Sequence, residues 1–132
     1  MASSLADIVH PAVCAAAKPT LEDRPLLSSA QASELARTFK VLANDTRLRL
    51  LHALERAGEL NVGDLAAEAG LSPQGVSNQL QRLVDRRIVA ARRHGNHVFY
   101  RVVDPCVPVL LELGLCLAEE TQVGSWPQED RE

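Results

Sequence analysis

The feature that most constrains the fold is a change of hydrophobic period at Ile88. Upstream of it, apolar residues recur at helical spacing (i, i+4, i+7, i+8), at Val76, Leu80, Leu83 and Val84. Downstream, "IVAARRHGNHVFYRVV" is rich in β-branched and aromatic residues around a central Gly95-Asn96, which is typical of a two-stranded hairpin. The chain is therefore predicted to pass from helices into a β-hairpin.

Capping signals divide the segment before the hairpin into four helices. Ser28 and Gln31 have the spacing of a capping box for the first helix. Asp45 is predicted to cap the second helix, which ends at Gly58. The faces expected to be buried are Ala32, Leu35, Ala36, Phe39 and Leu42 in the first helix, and Leu48, Leu51 and Leu54 in the second.

Similar signals bound the remaining helices. Asn61 is predicted to cap a short third helix that ends at Gly70, with Val62, Leu65, Ala66 and Ala69 facing inward. Ser72 and Pro73 suit the N-cap and first position of the fourth helix. After the hairpin, Asp104 and Pro105 suit the same two positions of a last helix running to about Glu120.

Length and composition indicate one cytoplasmic domain. A chain of 132 residues with 46% apolar content can bury one modest core, and no apolar run approaches the roughly 18 residues of a membrane span. The N-terminal stretch lacks a basic leader, and three cysteines argue against a disulfide framework. We expect a mobile arm at 1–27 with a short helix around 8–17, a folded domain at 28–121, and a disordered acidic tail at 122–132.

The net charge of −3 conceals a basic block. Residues 82–101 contain six arginines and one acidic residue, whereas the flanking segments are both acidic. A local basic block of this kind favours a polyanionic partner even in an acidic protein.

Two short helices joined by "AGLS" and followed by an arginine-rich hairpin form a helix-turn-helix with a wing. Amide and hydroxyl side chains on the outward face of the fourth helix can bond base edges in a major groove, while arginines hold phosphates or guanines. The alternative reading of such a face is a solvated surface, and the adjoining basic wing favours double-stranded DNA instead. The predicted DNA-binding residues are Ser72, Gln74, Ser77, Asn78, Gln81, Arg82, Arg92, Arg93 and Asn96.

Four further polar residues are considered as possible contacts or ligands. Arg86 and Arg87 are either further phosphate contacts or a solubilising helix end. His52 and His97 are interpreted as packed or capping histidines and not as metal ligands.

Three segments together resemble the ArsR/SmtB family of metal-sensing repressors: "LARTFKVLANDTRLRLLHAL", "ELNVGDLAAEAGLSPQGVSNQLQRLVDRRIV" and "RRHGNHVFYRVVD". The resemblance spans roughly residues 33–120. It implies a mainly α, winged helix-turn-helix homodimer that dimerises through its first and last helices. It also implies operator binding in the absence of inducer and release when metal binds.

The chain departs from two metal sites of that family. Asn61 stands where members often have a cysteine at the start of the third helix, so a thiolate site there is not expected. On the last helix, Asp104 and Glu120 match acidic positions, Cys106 replaces a histidine, and Leu117 takes the second histidine position beside Cys116. Thiolates in place of imidazoles shift the preference toward softer ions.

Geometry excludes a site built from one copy of the last helix. Cys106 and Cys116 are separated by ten residues, or about 15 Å of helix, whereas thiolates sharing one ion lie within about 4–5 Å. In an antiparallel pairing across a dimer, Cys106 of one chain can approach Cys116 of the other, giving two symmetric sites. Cys14 in the N-terminal arm, four residues after His10, is a candidate third ligand.

These cysteines predict a thiophilic inducer such as arsenite, antimonite, cadmium, lead or mercury. The alternative for Cys106 and Cys116 is a pair of buried hydrophobic residues. Two other functions stay open, a repressor of the same fold that senses redox state or sulfide through its thiols, and a dimerisation module that does not bind DNA. No membrane or small-molecule substrate is expected, and no catalytic motif is found, so we do not expect an enzyme.

Overall fold

The computed structural model describes residues 18–123, with side chains to residue 120, so the predicted helix at 8–17, Cys14 and the tail from residue 124 lie outside the described residues. The helices are α1 (Ser29–Leu42), α2 (Asp45–Ala57), α3 (Val62–Ala69), α4 (Pro73–Asp85) and α5 (Cys106–Val123). The strands are β1 (Leu60–Asn61), β2 (Val89–His94) and β3 (His97–Val102). None of these helices combines the length and the apolar character that a membrane span needs.

The N-termini of α1 and α2 are set by local hydrogen bonds. In α1, the capping box is present as predicted, because the Ser28 hydroxyl accepts from the Gln31 amide and the Gln31 side chain accepts from the Ser28 amide. In α2, the predicted cap is wrong by one residue. The cap is Asn44, whose side chain accepts from the Arg47 amide, and Asp45 begins the helix instead. Asn and Asp cap equally well, and the extended backbone of Asn44 decides between them.

The helix-turn-helix consists of α3 and α4. The caps Asn61 and Ser72 are confirmed, as is the left-handed Gly70 that ends α3. The C-terminus of α4 closes with two nested hydrogen bonds, from Arg87 N to the Val84 carbonyl at 2.9 Å and from Ile88 N to the Leu83 carbonyl at 3.0 Å. Arg87 lies in the left-handed region with φ of 60°, a conformation more common for glycine in this motif.

The hairpin is confirmed, with Gly95 and Asn96 in its turn and His94 paired with His97. The prediction of two strands is incomplete, because β1 adds a third strand and pairs antiparallel with β3. The strand order is β1-β3-β2, so the sheet joins the wing to the segment that immediately precedes α3.

The core lies between α2, α3, α4 and the base of the sheet. Its fully buried side chains are Leu50, Leu51, Leu54, Leu65, Val76, Leu80, Leu83 and Val89. Leu48 was predicted to be buried and is instead 39% exposed, whereas Leu50 occupies the core. The helical period of α2 allows the buried face to include either Leu48 or Leu50. The packing of α2 against α3 and β3 buries the face that includes Leu50.

Helix α5 leaves the sheet and packs against α2. It begins at Cys106, one residue later than predicted, and the Asp104 carboxylate accepts a hydrogen bond from the Cys106 amide at 2.8 Å. An apolar groove of about 980 Å³ lies between α5 and the α1 and α2 helices, and Phe39, Leu48, Leu110 and Leu115 are among its lining residues. The face of α1 that was predicted to be buried is exposed in the single chain except at Leu42, and Leu35 and Phe39 are 45% and 48% exposed. Both helices predicted to form a dimer interface therefore carry exposed apolar side chains in the single chain.

Candidate functional site

Helix α4 presents a continuous polar face to solvent. Its apolar residues Val76, Leu80 and Leu83 are fully buried, which fixes the rotation of the helix. All the residues predicted on its outward face are exposed: Ser72, Gln74, Ser77, Asn78, Gln81 and Arg82. Two hydrogen bonds run along the exposed side of the helix, from Gln74 to Asn78 at 3.1 Å and from Gln81 to Asp85 at 2.8 Å.

The two predicted wing arginines lie on opposite faces of β2. Arg92 is paired with Phe99 across the hairpin, and its guanidinium lies 5.5 Å from the centroid of that ring. The Arg92 Nε also donates to Glu59 Oε2 at 3.2 Å. This hydrogen bond lowers the pKa of Glu59 and raises that of Arg92. Arg93 is exposed on the other face, and Asn96 is exposed in the turn.

A buried arginine that was not predicted forms a hydrogen bond with α4. The side chain of Arg47 is 7% exposed and donates to Gln79 Oε1 of α4 at 2.7 Å. It also donates to the main-chain carbonyls of Val41 and Lys40 at the end of α1. Burial, followed by the charge of Arg82, lowers the pKa of Arg47. Arg47 therefore links α1, α2 and α4, the recognition helix of the helix-turn-helix, in one hydrogen-bonded cluster.

Arg86, at the end of α4, forms hydrogen bonds with two residues of α1. Its Nη2 lies 3.1 Å from Glu34 Oε1 and 2.8 Å from Thr38 Oγ1. Hydrogen bonds from Arg37, then the charge and hydrogen bond of Arg86, lower the pKa of Glu34. Arg86 was interpreted either as a phosphate contact or as a solubilising helix end. The structure favours neither interpretation, because its guanidinium is hydrogen-bonded to α1 within the fold.

Cys106 and Cys116 are both exposed on α5, which excludes the reading that they are buried hydrophobic residues of the single chain. They lie at the first and eleventh positions of one helix, so about 15 Å of helix separates them. Within residues 18–123 of a single chain, no three side chains of Cys, His, Asp or Glu are grouped closely enough to hold an ion. Two accessible thiols are nevertheless a donor set that suits a soft, thiophilic ion.

The thiol of Cys116 has an acidic neighbour. Its Sγ donates to Glu120 Oε1 at 3.6 Å, and the charge of Glu120, this hydrogen bond, burial and the charge of Glu119 together raise the pKa of Cys116. A raised thiol pKa lowers the fraction of Cys116 that is thiolate at neutral pH.

Glu120→Gln is therefore expected to accelerate alkylation of Cys116. Removing the carboxylate lowers the pKa of the thiol toward its ordinary value, so a larger fraction of Cys116 is thiolate at pH 7 and reacts. The rate is measured with iodoacetamide on metal-free protein by peptide mass spectrometry, with Cys106 as the internal reference. Glu112→Gln removes the same charge from the same helix and serves as the matched control. Equal rates for Cys116 in both variants would contradict the assignment to Glu120.

Comparison with known proteins places this arrangement in a family. A family model described as the MarR family matches residues 44–97, from the start of α2 to the wing. A transcriptional repressor SmtB homolog from Synechocystis sp. is 44% identical over 79 residues. That match covers 60% of this chain and 59% of the relative, so the chain spans about three fifths of its length.

Two solved structures share the fold over almost their whole length. The AntR antimony-specific transcriptional repressor is 64% identical with a TM-score of 0.70, and the match covers 81% of this chain and 96% of that one. A homodimeric winged helix-turn-helix domain from Mycobacterium bovis, described as a possible ArsR-family regulator, is 31% identical with a TM-score of 0.64. That match covers 80% of this chain and 99% of the other.

The recognition helix, the wing and these similarities agree with the resemblance of the sequence to the ArsR/SmtB family. The chain belongs to the ArsR/SmtB family of metal-responsive, winged helix-turn-helix transcriptional repressors.

Proposed function

We propose that this protein is a cytoplasmic homodimer that represses transcription by binding operator DNA and is released by trivalent antimony or a similarly thiophilic ion. The observation that carries the proposal is the pair of exposed thiols on α5, in a chain 64% identical to an antimony-specific repressor. The ion acts as an inducer, so the protein's own chemistry is limited to binding and release.

The DNA-binding part rests on the exposed polar face of α4 and on the wing. The recognition helix would lie in a major groove, with Gln74, Ser77, Asn78 and Gln81 at base edges and Arg82 at a phosphate or guanine. Arg93 and Asn96, both exposed on the wing, would contact the DNA backbone or the minor groove. Arg92 contributes less than Arg93 in this proposal, because Glu59 neutralises its charge.

The inducer part rests on Cys106 and Cys116 with Cys14 as the third ligand. The separation of the two thiols along α5 requires that each site takes Cys106 from one subunit and Cys116 from the other. An ion held by these residues would supply a soft Lewis acid, and each coordinating thiol, that of Cys116 included, would lose its proton to solvent or to a hydroxide that leaves the metalloid as water. The dimer then adopts a geometry in which its recognition helices no longer match two half-sites.

A titration of DNA binding against salt and metal tests the proposal. A duplex is first selected for binding from a random-sequence pool, and its affinity is measured from 50 to 200 mM salt, with and without potassium antimonyl tartrate, arsenite, cadmium or zinc. We expect a steep salt dependence, because several phosphates are contacted, and a 5- to 150-fold loss of affinity with antimony. A salt-independent affinity would indicate a module that does not bind DNA, and release by peroxide without metal would indicate a redox sensor.

A further inference from the structure

The end of the recognition helix is bonded to the first helix by one side chain. Arg86 is 28% exposed and reaches two acceptors one turn apart on α1, the carboxylate of Glu34 and the hydroxyl of Thr38. Hydrogen bonds that involve an ionised donor and acceptor are shorter and roughly twice as strong as neutral ones. We refer to Arg86, Glu34 and Thr38 as the α1–α4 tether.

The tether adjoins the start of α5. The Ile88 carbonyl accepts from the Val103 amide at 2.9 Å and from the Asp104 amide at 3.4 Å, and Asp104 in turn bonds the amide of Cys106. A polar cleft of about 290 Å³ is lined by all three tether residues and by Asp104 and Val107. Three elements therefore meet here, through the middle of α1, the C-terminus of α4 and the N-terminus of α5.

We propose that Arg86 is a positioning residue that holds the recognition helix at a set angle to α1, and that it does not contact DNA phosphate. The proposal rests on the proposed function, since α1 belongs to the dimer interface and the angle of α4 to α1 sets the separation of the two recognition helices. Half-sites one helical turn apart, about 34 Å, accept only a narrow range of separations. Without the tether, α4 samples other angles and operator affinity falls.

Substitution of Glu34 distinguishes a positioning role for Arg86 from direct attraction of its charge to DNA. The two explanations predict changes in DNA affinity of opposite sign. If Arg86 acted through its charge on DNA, Glu34→Gln would remove a repelling carboxylate, release the arginine and raise the affinity. If Arg86 positions α4, Glu34→Gln replaces the charged acceptor of the tether by a neutral and weaker one, and this lowers the affinity. Thr38→Val, which changes no charge, is expected to lower it in the same direction.

The test compares Arg86→Gln, Glu34→Gln, Thr38→Val and the double variant Arg86→Gln/Glu34→Gln on the selected duplex. We expect each single variant to lose roughly 5- to 20-fold in affinity, and the double variant to lose little more, because both partners act through one interaction. The slope of affinity against salt is expected to stay that of the wild type. A phosphate contact would instead reduce this slope by about one unit for Arg86→Gln.

Two controls address charge and the neighbouring ion pair. Glu22→Gln removes one negative charge from an exposed site before α1, and Arg37→Gln removes the other partner of Glu34 while leaving Arg86 in place. Both are expected to bind within about twofold of the wild type, because surface ion pairs contribute little. Tighter binding by Glu34→Gln, or a reduced salt slope for Arg86→Gln, would overturn the proposal.

Hydrogen exchange supplies a readout that needs no DNA. In free protein, Arg86→Gln and Glu34→Gln are expected to increase amide exchange in the last turn of α4 and at residues 103–107, and Arg37→Gln is not. Unchanged exchange would also overturn the proposal. If the wild type bound no duplex while the tether variants still loosened α4, the proposed function would be wrong and the tether would be correct only as a feature of the fold.

Discussion

Cys106→Ser is expected to abolish the antimony-induced release of DNA while leaving the affinity of the metal-free protein within about twofold of the wild type. A hydroxyl does not replace a thiolate as a ligand for a soft ion, and Cys106 lies on α5, which is not one of the elements proposed to contact DNA. The wild type should lose roughly 5- to 150-fold in affinity when antimony binds, and the variant should lose almost none. Fluorescence anisotropy of the selected duplex measures both states.

Cys116→Ser is expected to behave in the same way, because each proposed site needs one thiol from each subunit. Ala118→Ser places a hydroxyl near the same end of α5 and serves as the control that should still respond. Cys14→Ser reports whether the arm contributes a ligand. Full release by both Cys106→Ser and Cys116→Ser would show that the inducer site lies elsewhere.

Leu115→Glu is expected to give a monomer that binds the operator at least roughly 100-fold more weakly, because binding to two half-sites is lost. Leu115 is 54% exposed on α5 and lines the apolar groove beside α1 and α2. A carboxylate buried at a subunit interface without a partner costs several kcal/mol, and this cost disfavours the dimer. Sedimentation analysis measures the mass, and the DNA titration measures the affinity.

Leu21→Glu is the matched control for this variant. Leu21 is more exposed than Leu115 and precedes α1, so the same substitution there is expected to leave the mass and the affinity unchanged. A Leu115→Glu protein that remained dimeric would place the interface on another surface.

The capping residues were predictable because their partners are close in sequence. Ser28, Asn61 and Ser72 each bond an amide three residues away, and a pattern of residue types reports such a contact directly. The wing was predictable for a similar reason, since a glycine-containing turn brings neighbouring segments into register. The shift of the second cap from Asp45 to Asn44 marks the limit of such signals when two suitable residues are adjacent.

The candidate site was predictable only in part. The exposed face of α4 followed from the helical period, because the residues that are not buried must face solvent. The engagement of Arg92 with Glu59 did not follow, since 33 residues separate the two side chains. The pairing of the β1 segment with β3 was missed for the same reason, because a strand of two residues has no period of its own.

What the sequence determined by itself is the order of the helices and the wing, together with the polar face that α4 turns to solvent. What only the tertiary structure decided is how those elements are joined. Arg47 reaches Gln79 across 32 residues, and Arg86 reaches Glu34 across 52. Local caps and periods depend on residues within one or two turns, whereas the partner of a long, charged side chain is set by which elements pack together. The orientation of the recognition helix is therefore a property of the fold and is not visible in any one segment.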